Sequence, residues 1–72
     1  MDTLSQYITI DHQIAAGVPV FKGTRVSIKT LFDYLEESSL EEFLLGYPSV
    51  SREHAEVVIE LAASKLLSDL AA

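Results

Sequence analysis

Apolar positions fall into two regimes along the chain, strand-like over the first third and helical beyond it. Tyr7-Ile8-Thr9-Ile10 is β-branched and aromatic, and a strand there sets Ile8 and Ile10 on one side. Asp11 and His12 end it, Gln13 to Ala16 suits a helical turn closed by Gly17, and Val18-Pro19-Val20-Phe21 is strand-like again. Pro19 has no N–H to donate, which confines that strand to an edge or a bulge. Lys22-Gly23 separates it from Thr24-Arg25-Val26. A two-residue loop with Gly second predicts a tight hairpin, because Gly accepts positive φ without steric cost. Strands this short are not stable alone, so they need a helix beneath them or strands of another chain beside them.

At Ser27 the period becomes helical. Ser27 is the expected N-cap, and Ile28, Leu31, Phe32 and Leu35 follow at the spacing of one buried face, predicting a first helix that ends at Glu36 or Glu37. Ser39-Leu40-Glu41-Glu42 is a capping box opening a short second helix that buries Leu40, Phe43 and Leu44. Gly46 is expected to close it in the left-handed conformation, and Pro48 forbids its continuation. Ser51 caps a third helix with Glu53 in its first turn. Ala55, Val58, Ile59, Ala62, Leu66 and Leu70 form its core stripe, and Glu53, Glu56, Glu60 and Ser64 its wet one. Val57 and Leu61 widen the apolar stripe, and the turns from Lys65 to Ala72 stay amphipathic where a small bundle should be complete. Val57, Leu61, Leu66, Leu67 and Leu70 are therefore a candidate partner surface, the plain alternative being a terminal helix that frays. Phe21, Phe32 and Phe43 recur every eleven residues but belong to different elements, so core packing explains them. The expected fold is mostly α. It is one domain over residues 1–72, with a β arm and hairpin over 1–27 and a three-helix, helix-turn-helix-like bundle over 28–72.

Composition adds a reason to look for a partner. The 72 residues are 49% hydrophobic, and a core this small supplies only roughly 3–5 kcal/mol. No Cys is present to staple it. His12 and His54 have no ligand-spaced companions, so neither metal nor cofactor is expected. No nucleophile, base and orienting group are arranged as an enzyme would need. No apolar run approaches a membrane span, and a cytoplasmic location is expected.

The net charge of −6 is unevenly spread: −2 over residues 1–11, +3 over 12–30 and −7 beyond. An acidic helical body repels phosphate, so nucleic acid would have to meet Lys22, Arg25 and Lys29, with Arg52 of the third helix as the remaining candidate contact. Arg25 could grip a phosphate or carboxylate as a bidentate fork. The nine downstream acids favour the other reading, a pair with Asp33, Glu36 or Glu37 or with the same groups across a dimer.

Gly17-x-Pro19-Val20-x-x-Gly23-Thr24-Arg25-Val26, then Asp33-Tyr34-Leu35, then Ser39-x-Glu41-Glu42-Phe43-Leu44-x-x-Tyr47-Pro48 with an amphipathic helix behind it, resembles domain-of-unknown-function family 433 over residues 7 to 63. Gly17, Pro19, Gly23, Thr24 and Arg25 carry the signature. The resemblance implies a homeodomain-like fold in a small bacterial or archaeal antitoxin. Such a protein would bind and silence a PIN-type ribonuclease toxin, with repression of its own operon as a second role. Two departures stand out. Glu37-Ser38-Ser39 occupies the place where relatives carry a Gly, and the would-be recognition helix opens Arg52-Glu53-His54-Ala55-Glu56, two carboxylates where phosphates would lie. The expectation is an antitoxin-like protein, homodimeric through strands 7–11 and 18–27. A stand-alone DNA-binding regulator and a structural dimerisation module are the alternatives.

Overall fold

Each helix starts where a serine hydroxyl meets a free backbone N–H. In the computed structural model, which describes residues 3–71 and leaves Met1, Asp2 and Ala72 outside, α1 spans Ile28–Leu35, α2 Leu40–Gly46 and α3 Arg52–Ala71. Ser27 Oγ accepts from the Thr30 N–H at 3.0 Å, Ser39 Oγ from Glu42 at 3.1 Å and Ser51 Oγ from His54 at 3.1 Å. Each such cap contributes about 1 kcal/mol.

The helix ends show why two glycine expectations differ from the outcome. After α1 the Ser38 N–H returns to Tyr34 O at 2.9 Å, and no residue from Glu36 to Ser39 has positive φ. The missing Gly is therefore not needed. Gly46 does not close α2 in the left-handed region either; it is the last helical residue, and Tyr47 leaves the helix at φ −130°, ψ 71°. Pro48 is the cause, since its ring pushes the preceding residue out of the α region.

The N-terminal arm is built on a short antiparallel pair, β1 (Ile8–Thr9) and β2 (Val20–Phe21), with Ile8 opposite Phe21 and Thr9 opposite Val20. On its other side β2 meets the run into α1: Phe21 N–H bonds Val26 O at 2.9 Å and Ile28 N–H bonds Pro19 O at 3.0 Å. The turn at Lys22-Gly23 thus returns the chain alongside β2 as expected, and β2 has its neighbours on both sides within one chain. Pro19 lies just before β2 rather than inside it, so its missing N–H costs no ladder bond. The link between the strands holds Ala15, Ala16 and Gly17 at φ of 50°, 56° and 86°. This left-handed turn replaces the expected helical one.

Phe21, Leu31, Phe43, Val50, Ala55 and Val58 make the core, one or more from each of β2, α1, α2, the α2–α3 loop and α3. Tyr34 and Tyr47 ring Phe43, with centroids 5.9 and 5.1 Å away, and Phe21 is 6.2 Å from it. Several residues expected inside lie outside. Ile10 is 69% exposed and Phe32 sits at the surface, because β1 ends before Ile10 and α1 turns Tyr34 inward in place of Phe32. Ala62, Leu66 and Leu70 are also exposed. Ala62 edges a groove against the arm and α1, and beyond it the body ends, so nothing remains for Leu66 and Leu70 to pack on.

Phe43→Ala should remove about 3–5 kcal/mol, comparable with the whole margin of so small a domain. Urea unfolding followed by circular dichroism should find the variant mostly unfolded at 25 °C. Ala16→Gly should move the same midpoint the other way, by about 0.5–1 kcal/mol, since an exposed alanine at positive φ is relieved of its Cβ clash.

Candidate functional site

Gly23, Thr24 and Arg25 of the signature share one turn, Gly17 and Pro19 lie on the other side of β2, and the chemistry of that turn is structural. Gly23 has φ of 79° at the third position of a turn closed by Thr24 N–H to Phe21 O at 3.0 Å. A Cβ at Gly23 would meet nothing, so the demand there is on backbone conformation alone. The Thr24 hydroxyl donates to Phe21 O at 2.8 Å and accepts from the Val26 N–H at 3.0 Å. One side chain thereby ties β2 to the run into α1. Gly17 supplies the other positive φ, against the His12 ring. Sequence reasoning noted Thr24 but missed this double bond. The available signal was a hydroxyl residue directly after a turn glycine, the setting in which Thr bonds its own backbone.

Arg25 points out of the same turn. It is exposed, and the expected pair with Asp33, Glu36 or Glu37 is not made within the chain. Asp33 is held instead by Lys29 at 2.7 Å. That hydrogen bond, followed by the carboxylate's charge, raises the Lys29 pKa above its ordinary value. Arg52 joins α2 to α3, bonding Glu41 and also Glu56 at 3.3 Å, and the Glu41 bond is the main cause of its raised pKa. Both basic groups are stabilised in their charged forms, so each keeps its positive charge across the neutral range and loses it only as pH rises past its raised value. Lys65 pairs with Asp69 at 3.1 Å. Among the described residues, Lys22 and Arg25 are the cations with no carboxylate within reach. The four predicted nucleic-acid contacts do not form one patch of free charge.

A shallow groove beside Arg25 is lined by Thr9, Ile14, Gly23, Thr24 and Ser49. His54, the first-turn histidine of α3, packs edge-on against Tyr7 at 5.0 Å and serves to pin the arm to the helix. No helix among the described residues is long and apolar enough to cross a membrane.

The predicted partner residues lie on α3 but not on one face. Val57 and Leu61 are half-buried and share a shallow groove with Glu60, Ala63, Ser64 and Leu67. Leu66, Leu67 and Leu70 are 60%, 66% and 73% exposed. A second apolar groove, which sequence reasoning did not foresee, runs between the arm, α1 and α3 and is lined by Leu4, Ile8, Ile28, Phe32, Leu61 and Ala62. Phe32 lines it from α1, together with buried Val58 and with Lys65 of α3, and so sits at the surface where the helical period had placed it in the core.

A family model described as a protein of unknown function, DUF433, matches residues 8–62. The chain belongs to the DUF433 family. No curated protein and no solved structure matches it. The DUF433 match opens at β1 and closes at Ala62, where α3 runs out beyond the body of the domain. The signature turn, the three serine caps and the aromatic core all lie inside the matched span.

Thr24→Val keeps the shape of the side chain and removes both hydroxyl bonds. It should lower stability by about 1–3 kcal/mol, while Arg25→Ala stays within about 0.5 kcal/mol of the parent. Paired urea melts would show a large shift for the first and almost none for the second.

Proposed function

We propose that this DUF433 protein is an antitoxin-like partner that binds and neutralises a PIN-type ribonuclease, with α3 as the contact. The observation that carries the reading is the outer face of α3. There Glu53 and Glu60 stand exposed with no ion pair among the described residues, beside half-buried Val57 and Leu61. An apolar strip edged by free carboxylates suits a nuclease surface that carries basic residues for substrate phosphates. The apolar residues supply contact area, and the acids occupy sites where phosphate would lie. The resemblance that names a nuclease as partner and the shape of this face favour the same occupant.

The second reading, a DNA-binding regulator, rests on Lys22 and Arg25, the two cations free of carboxylates. Two charges per chain neutralise few phosphates, which means weak binding with a shallow salt dependence. Arg52 would have to leave Glu41 and Glu56 before it could contribute.

Co-expression with a PIN-type nuclease encoded beside this chain is the direct test. The expected outcome is a complex that co-purifies and restores growth, with rescue weakened by Glu53→Gln plus Glu60→Gln and unchanged by Arg25→Ala. Absence of both complex and rescue would sink the proposal. A gel shift on the chain's own upstream DNA that vanishes with Arg25→Ala would move the balance to the second reading.

A further inference from the structure

The last three turns of α3 carry an apolar stripe that starts at Ile59, on the edge of the core, and runs out to the exposed Leu66 and Leu70. Ile59, Ala63, Leu66 and Leu70 are spaced four, three and four residues apart, the repeat of a coiled-coil seam. On an α-helix this line lies roughly a quarter-turn from Ala55 and Val58, the residues buried in the body. Where the core line itself continues past Ala62 it becomes polar, with Lys65 paired to Asp69. Leu66 and Leu70 run on from the Ala55–Ile59 edge of that line, past the point where the body can cover them.

We infer that this seam binds a second copy of the chain, α3 lying antiparallel to α3 about a two-fold axis between Ser64 and Lys65. In that register Ile59 faces the partner's Leu70 and Ala63 faces the partner's Leu66, so all four layers are apolar and each small residue meets a large one. The charges select the direction. Antiparallel pairing sets Glu60 near Leu67 and Asp69 near Ala62 across the seam, with no acid against an acid. Parallel pairing would bring the two Glu56 carboxylates together on the seam line.

The chain as a whole is more exposed than a compact monomer, as a helix reaching past its body makes it. The chain has 5138 Å² of accessible surface, where a compact monomer of its mass exposes about 4,400 Å². The excess of about 700 Å² is close to the ~800 Å² that each partner contributes to a standard interface. In the arm, β2 already has neighbours on both sides within its own chain. Self-pairing through α3 does not require a nuclease, and Ala63 is common to the seam and to the groove that holds Val57 and Leu61.

Sedimentation of the full 72-residue chain over a range of concentrations tests it. The parent should run at twice its 7.9 kDa mass and melt at a temperature that rises with concentration. Leu66→Glu plus Leu70→Glu should halve the mass and abolish that dependence. Both side chains lie off the core, so the near-UV signal of the tyrosine cluster should survive and show that the body is folded. A parent that stays monomeric, or a double variant that stays dimeric, would overturn the inference. A short bis-maleimide should link Ile59→Cys chains to Leu70→Cys chains when the two are mixed. Efficient linking of Leu70→Cys to itself would overturn the antiparallel arrangement.

Discussion

Everything in this domain leans on Phe43. Its ring lies in the middle of α2 with no exposed surface, and Phe21 of the arm, Tyr34 of α1 and Tyr47 of the following loop each place a ring within 6.2 Å of it. Aromatic pairs of this kind add about 0.5–1.5 kcal/mol each beyond the area they bury. In a 72-residue chain without disulfides such terms form a large part of the margin. The cluster also couples segments that could not stand alone. A two-residue strand pair has no stability of its own, yet Phe21 carries it into the same core as α1 and α2.

That dependence explains what the family signature is for. Gly17, Gly23 and Thr24 set backbone directions on either side of Phe21 and hold β2 against the run into α1 through the Thr24 hydroxyl. They deliver Phe21 to Phe43. A run of conspicuous glycines and cations invites a reading as a binding loop, but here its chemistry is used up in making a turn. Arg25 is the exception: it points outward and the fold makes no use of its charge.

The surfaces available to partners have been displaced to α3, and the cause is length. At 1.5 Å per residue a helix of 20 residues reaches about 30 Å, while the body covers only its opening turns. Inside the body one line of α3 is apolar. Outside it Leu66, Leu67 and Leu70 stand exposed, and Val57, Leu61 and the free acids occupy another side of the helix. A helix with apolar groups on several sides is ordinarily buried in a larger whole.

Local chemistry was legible in the sequence. The three serine caps, the three helices, the strand character around Ile8 and Val20 and the turn at Gly23 depend on residues close in the chain, and each was found where its pattern lies. Residues whose fate depends on distant neighbours were less so. Phe32 fits the buried period of α1, yet Tyr34 turns inward because Phe43 and Tyr47 offer it ring edges. Gly46 suits a left-handed cap, but Pro48 ends the helix by another route. Arg25 had acids enough to pair with, but Lys29 holds Asp33 and no ion pair joins Arg25 to Glu36 or Glu37. Leu66 and Leu70 follow the core period of α3, and only the size of the body decides that they lie beyond it. A period records which residues share a face; what lies opposite that face is set by the packing of the other elements.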